Sequence, residues 1–578
     1  MSRAQASRSL RAEKASNNRR DGIVSNCSKA VRLVDYDSNR SEAAMNMSKN
    51  RRSIPSALPS LTRGVLPAAL AFCAMAACSL HAIAQPLQAE VDRLIHSAKL
   101  GKSRIGVSVV DVKTGEVLAS RNADEDFCPA SNMKLLTTGA ALWTLKADFV
   151  FKTEIKLDGD RLIVVGSGDP AFGDPEILQN ASPRMTVSDM LGAMTASVTK
   201  AGVKKLSEVI VDDRIFDREF VHASWPKDQL DRWYCAEVSG LIFHANVLDV
   251  YPRPGADGQR PSVSIDPETS IVEVDVSKSR SVSSGNNSVW LKRDANENRF
   301  QLMGDVRFAV TQPVRVTLTQ NPAFFGQLLA DRLERSGVVI SGAGATTPGG
   351  GAPPPTVRVA DPGEQLGSDR TIAVITTPLA DVVRRCNVES YNLYAEALIK
   401  RIGHDVTGQP GSWENGASVL RMLLTEKLGP EAAKSTIVRD GSGMSKDNRV
   451  SPTTMTHWLA AIANDSTIAS TFIQSLAMPG EGTLERRFKN NRPKNQLHGK
   501  SGYIRNVRCL SGYVIDEKGH AIAFSILAND VPAGEEDQAA LQLHEQVVSL
   551  VDGYLSKDSP KPAADPKPAR GSGAKPRR

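Results

Sequence analysis

The sequence predicts an α/β chain in which one sheet, flanked by helices, takes strands from both ends and is split by a long β-rich insertion. Three observations lead there. Residues 105–112 and 117–119 alternate as two strands around Lys113-Thr114-Gly115, and residues 510–515 and 521–527 do the same around a turn at 516–520. Apolar residues recur at helical intervals after Pro129, from Ser131 to Leu145, and again over 378–401, 413–428 and 538–555. Between these blocks, about 152–368, short β-like runs such as Arg161–Val165, Glu208–Val211, Val272–Val276 and Val314–Leu318 are punctuated by Gly, Pro, Asn and Asp.

The 578 residues exceed a single core and accommodate several domains. The net charge of +7 sits at the ends: basic residues outnumber acidic ones by 8 over residues 1–63 and by 5 over 557–578, so the body is mildly acidic. An acidic body gives no electrostatic reason to bind phosphate backbones, and no nucleic-acid partner is expected. Residues 557–578, rich in Pro, Ala and Lys, are expected to be disordered. That tail could touch an anionic wall or membrane surface, the plainer reading being a solubilising extension.

A basic stretch to Arg63, an apolar run from Gly64 to Leu80, and Ala82-Ile83-Ala84 form an export signal with cleavage expected after Ala84. The run is at the short limit for a membrane anchor. Met45 or Met47 is the expected start of the signal. The destination is the periplasm or cell envelope. Four of the seven cysteines, Cys128, Cys235, Cys386 and Cys509, survive cleavage, as disulfides of unassigned pairing or as buried thiols. Neither they nor the nine histidines show metal-ligand spacing, so no metal or other cofactor is expected.

The chemistry is carried by three short motifs in fixed order: Ser131-Asn132-Met133-Lys134, Ser390-Tyr391-Asn392 and Lys500-Ser501-Gly502. Ser131 opens a helix, so Lys134 lies one turn along on the same face and brings an amine beside a hydroxyl. Burial and a second cation turn such an amine into a base. Ser-x-x-Lys also occurs at Ser197, late in a surface helix, and at Ser224, where Pro226 interrupts it; Lys113-Thr114-Gly115 lies in a hairpin turn ahead of the serine. Gly502, on an edge strand, would let substrate approach the backbone.

With these motifs, Asp111 to Gly115, Pro129 to Leu135, Gly166 to Pro170, Asn387 to Ala395, Asp440 to Ser445, Gly482 to Leu484 and Leu510 to Tyr513 resemble, in order, blocks of the D-alanyl-D-alanine carboxypeptidase/endopeptidase family, the class C low-molecular-mass penicillin-binding proteins. The resemblance implies a transpeptidase/β-lactamase-like domain over 85–151 and 369–556, an insertion domain over 152–175 and 256–368, and a second insertion nested within it over 176–255. It implies a serine DD-peptidase acting on peptidoglycan stem peptides and acylated by β-lactam antibiotics. Ser131 would be the nucleophile, Lys134 the base, Ser390 the proton relay to the leaving amine, Asn392 the clamp on the acyl peptide's amide, and Lys500 an electrostatic tuner. Ser501, Gly502 and Tyr503 would bind substrate, with the Tyr503 and Ser131 backbone N–H groups forming the oxyanion hole. Ser501 stands where threonine is usual, Tyr391 where aspartate is frequent and Tyr503 where a small hydroxyl residue is common. Bulk at Tyr503 would favour cutting cross-links over trimming a terminal D-alanine. The rival readings are a β-lactamase or esterase built on the same apparatus, and a catalytically silent wall-binding protein.

Overall fold

The computed structural model describes residues 33–34, 87–295, 297–341, 357–368 and 370–558. Apart from Leu33–Val34, the expected leader over 1–84 and its cleavage point lie outside the described residues, as do Gly342–Pro355 and the tail beyond Asp558.

The chain opens with helix α1 (87–97), strands β1 (Arg104–Asp111) and β2 (Val117–Arg121), a 3-10 turn over Ala130–Asn132, and α2 (Met133–Leu145). It departs through β3 (Val150–Asp158) and β4 (Arg161–Val165), passes β5 (Glu208–Asp212) and β6 (Val357–Val359), and comes back along β7 (Arg370–Pro378). Helices α3 (Leu379–Val388), α4 (Asn392–Thr407), α5 (Trp413–Leu428) and α6 (Pro452–Ala463) follow, then strands β8 (Gln496–Ile504), β9 (Val507–Ile515) and β10 (Ala521–Asn529), and finally α7 (Glu535–Asp558).

The expected two-ended sheet is present. Its five antiparallel strands run β8-β9-β10-β1-β2, and β10 pairs with β1 in a register that sets Asn529 opposite Arg104 and Ile522 opposite Asp111. Every residue of β10 is buried, because both faces of the sheet are covered, and its largely apolar sequence, with Ser525 hydrogen-bonded to Ser511, follows from that. On one face α1 and α7 supply Leu87, Val91, Leu543, Val547 and Val551 against Val107 and Phe524. On the other lie α2 and α6, whose Trp143 and Trp458 rings meet edge to face at 4.7 Å. Gln88 of α1 covers the β2 edge, accepting from Ser120 N–H at 2.8 Å.

A second sheet begins where α2 ends. Its order is Leu33–Val34, β7, β3, β4, β5, β6; β7 and β3 are antiparallel, and β5 lies parallel to both β4 and β6. Two three-stranded sheets lie between β5 and β6 in the chain. The region is less purely β than its sequence suggests, since helices Val187–Lys200 and Asn321–Arg335 pack their apolar faces into the second sheet's core.

Two expectations are corrected. The single helix expected over 378–401 is two, broken at residues 389–391 because Ser390 adopts a left-handed φ of 59°. Ser197 does not sit on a solvated face: it is buried, and its hydroxyl donates to the Ala193 carbonyl at 3.0 Å.

Candidate active site

The Ser131 turn is built by its neighbours. Ala130 takes a left-handed φ of 45° just before it, and Asn132 donates to Ser511 Oγ of β9 at 2.6 Å, pinning the turn to the sheet. Behind it the Asp440–Ser445 loop crosses so closely that a Cβ on Gly443, whose φ is 82°, would lie 1.8 Å from the Ala130 carbonyl oxygen. Only glycine fits that crossing.

Folding brings all three motifs together. Lys134 Nζ lies 3.1 Å from Ser131 Oγ, 2.8 Å from Asn392 Oδ1 and 2.8 Å from the Ser442 carbonyl, donating to each. Lys500 Nζ donates to Ser390 Oγ at 2.9 Å and to the Ser501 carbonyl at 2.8 Å. Ser390 and Asn392, two residues apart across the helix break, thus receive one ammonium each. Asn392 donates onward to the Tyr234 carbonyl at 2.9 Å, tying the site to the segment between the two sheets.

Both lysines are fully buried. Burial pulls the Lys134 amine below the usual lysine range, against the opposing pull of Cys386, Glu396 and Asp440. Lys500 is driven well below that range by burial and then by the charge of Lys134. Burial pushes the neighbouring Cys386 thiol up to about 12, against the pull of both lysines. This is an amine made easy to deprotonate and set against a hydroxyl, the arrangement that activates a serine.

Tyr391 is a packing residue: its buried ring lies 5.2 Å from Trp233 and 5.3 Å from Tyr394, with the Arg385 guanidinium 5.1 Å from its centre. Tyr503 is 66% exposed, and Arg508 stacks on its ring at 3.8 Å. Gly502 also meets a packing demand. A Cβ there would come within 2.8 Å of the Pro129 carbonyl and 3.0 Å of Cys509 Cβ, so the missing side chain makes room for the Ser131 turn. Ser501 is half-buried beside it.

The second and third copies of Ser-x-x-Lys, at Ser197 and Ser224, and the Lys113 turn take no part in these contacts. Sequence reasoning assigned no role to Ser442, Tyr234 or Glu396. For Ser442 the block Asp440 to Ser445 was a visible signal, but a backbone carbonyl's use cannot be read from residue type. Cys128, Cys235, Cys386 and Cys509 are buried free thiols. Among the described residues no cluster of His, Cys, Asp and Glu could hold a metal, and no helix is long and apolar enough to cross a membrane.

Comparison with known proteins agrees with this geometry. Residues 87–551 match the D-Ala-D-Ala carboxypeptidase 3 (S13) family. The D-alanyl-D-alanine carboxypeptidase of Actinomadura sp. strain R39 is 30% identical over 512 residues, covering 84% of this chain and 88% of its own. The crystal structure of penicillin binding protein 4 (dacB) from Haemophilus influenzae superposes with a TM-score of 0.63 at 19% identity, over 80% of this chain and 99% of that one. The same protein complexed with a novel β-lactam gives 0.58. A match over most of the chain, on a fold with these motifs assembled at one place, leaves one conclusion: the chain belongs to the D-Ala-D-Ala carboxypeptidase 3 (S13) family and is a serine-type D-Ala-D-Ala carboxypeptidase.

Proposed function

We propose that the protein is an exported serine DD-peptidase of the cell envelope that cleaves D-alanyl-D-alanine termini and D-alanyl cross-links of peptidoglycan through an acyl-enzyme, and that β-lactams acylate the same serine. The observation that carries the reading is the 3.1 Å contact between a fully buried Lys134 amine and Ser131 Oγ.

Neutral Lys134 takes the Ser131 proton as Oγ attacks the carbonyl carbon of the penultimate D-alanine. The developing oxyanion is held by the backbone N–H groups of Ser131 and Tyr503, a contribution of about 3 kcal/mol per donor in such sites. Asn392 orients the acyl peptide's amide. Ser390, hydrogen-bonded to Lys500, relays the proton taken up by Lys134 to the leaving amine as the C–N bond breaks; water then attacks the acyl group, giving one proton through Lys134 back to Ser131 Oγ as the ester bond breaks. Ser501 and Gly502 flank the substrate along β8. Exposed Tyr503 favours cross-linked substrates, whose scission on this reading outpaces trimming of free pentapeptide. The catalytic domain is the part formed by 85–151 and 369–556, and the intervening insertions frame the cleft through Trp233 and Tyr234.

Intact-mass analysis after penicillin treatment is expected to show one adduct, mapped to the Ser131 peptide, and Ser131→Ala to abolish it while the circular dichroism spectrum is unchanged. Adduct formation by the alanine variant would remove Ser131 from this role. Rapid turnover of the β-lactam would favour a β-lactamase.

A further inference from the structure

Helix α4 carries a buried carboxylate that the three motifs leave unused. Glu396, one turn beyond Asn392, is fully buried, and both oxygens are engaged. Oε2 accepts from Gly441 N–H and from Trp413 Nε1, each at 2.8 Å, and Oε1 accepts from Ser442 N–H at 2.9 Å. The Ser442 carbonyl then accepts from Lys134 Nζ at 2.8 Å. The carboxylate therefore grips the loop on one side of Ser442, and the loop holds the amine on the other. Asp440 steadies the same loop from within, accepting from Gly443 N–H at 2.9 Å, Ser445 N–H at 2.6 Å, Asn448 Nδ2 at 2.8 Å and Trp225 Nε1 at 3.1 Å.

We propose that Glu396 is a positioning residue for acylation: it aims the Ser442 carbonyl at Lys134 Nζ, and its charge sets the pH at which that amine can accept the Ser131 proton. The inference rests on the reading of Lys134 as base.

The charged neighbourhood is closed on all sides. Lys134 faces Glu396 of α4, Asp440 of the loop, Cys386 of α3 and Lys500 of β8. Glu396 faces Asp440, and Lys400 lies one turn further along α4, its ammonium held by Asp217 at 2.6 Å and stacked on Trp413 at 3.9 Å. Burial raises the Glu396 carboxyl, Asp440 pushes it the same way, and the three donors oppose both. A negative Glu396 favours the Lys134 ammonium, so losing that charge favours the neutral amine. The rising limb of acylation rate against pH then moves toward acid.

The test is the second-order rate of acylation by a fluorescent penicillin, followed across the titration range of the amine. Glu396→Gln puts an amide N–H₂ where an acceptor stood, so it both loosens the carbonyl's aim and removes the charge. Its plateau rate is expected to fall at least about tenfold, and its limb to move acidward by roughly one pH unit, a tenfold change in the amine's proton affinity. Glu396→Asp keeps the charge with a shorter reach; its limb should stay in place while the plateau falls. A Glu396→Gln limb at the wild-type position would reduce Glu396 to a structural clamp and overturn the proposal, as would an unchanged plateau in either variant. If Glu396→Gln does not fold, Glu396→Asp alone decides: a limb that moves with the plateau counts against it. Wild-type protein that penicillin fails to acylate would overturn the reading of Ser131 and Lys134 and this inference with it, whereas normal wild-type acylation confines any failure to Glu396.

Discussion

Ser390 and Ala130 take left-handed φ of 59° and 45°, against ordinary propensity, and both adjoin the lysine-bearing contacts. A non-glycine residue in that region costs about 1–2 kcal/mol. At Ser390 the turn that breaks α3 from α4 aims its hydroxyl at Lys500. Ser390→Gly should therefore raise thermal stability by about 1 kcal/mol while slowing acylation and peptide cleavage, as measured by calorimetry beside turnover of a D-alanyl-D-alanine peptide; a variant that gains no stability would show that packing, and not φ, sets the balance here. At this scale the motif residues were legible because a Ser-x-x-Lys spacing on a helix has a fixed geometry. The turn at Ser390 was not, since apolar periodicity runs on through Val388, Leu393 and Ala397 without registering one reversed dihedral. Glu396 was equally hidden, because in sequence it reads as a polar helix position.

Among the elements, α7 was visible as a periodic run, but its fully buried His544 was not. Among the described residues neither ring nitrogen of His544 has a hydrogen-bond partner. Burial, with Arg487 and Arg508 nearby, holds the imidazole well below its ordinary range, so the folded protein keeps it neutral. The unfolded chain binds that proton more readily, and stability thus rises with pH across the window between the folded and unfolded values. Below about pH 6.5 the loss should approach 1.4 kcal/mol per pH unit from this group. Calorimetry of His544→Leu is expected to show a flatter acid limb than wild type; an unchanged slope would assign the acid sensitivity elsewhere. The β strands of the main sheet were legible from alternation and turn residues. The helices inside the insertion were harder to read because Gly, Pro and Asn between short apolar runs resemble strand punctuation.

Across the whole molecule, a buried charge pair helps fasten the inserted region to the helical core, beside the Lys400–Asp217 contact. Arg385 of α3 meets Asp174 at 2.7 Å and Glu176 at 2.5 Å, and Tyr394 donates to Asp174 at 2.6 Å. Burial raises the Asp174 carboxyl, yet Arg385 and Tyr394 outweigh it and hold it below the usual range. Its contribution is therefore present above about pH 4 and lost as pH falls toward the folded value. Asp174→Asn would leave the buried guanidinium only the half-exposed Glu176 carboxylate and should cost about 3 kcal/mol, read as a lower denaturation midpoint, together with weaker penicillin labelling because Arg385 also supports Tyr391. Labelling that is untouched would separate this fastening from the site. That strands from both termini share one sheet followed from the strand-helix order of the sequence. The partner of Asp174 did not, since it joins residues 211 apart with no local signal.

The pairing of β10 with β1 carries a consequence for how the protein is born. The groove beside Ser131 gains its flanking wall only when the last hundred or so residues emerge and add their strands next to one made long before. A chain halted during synthesis, or clipped behind Pro452, keeps its hydroxyl and amine but has no Lys500 and no seat for the Ser131 turn. Unfinished copies thereby lack the assembled site.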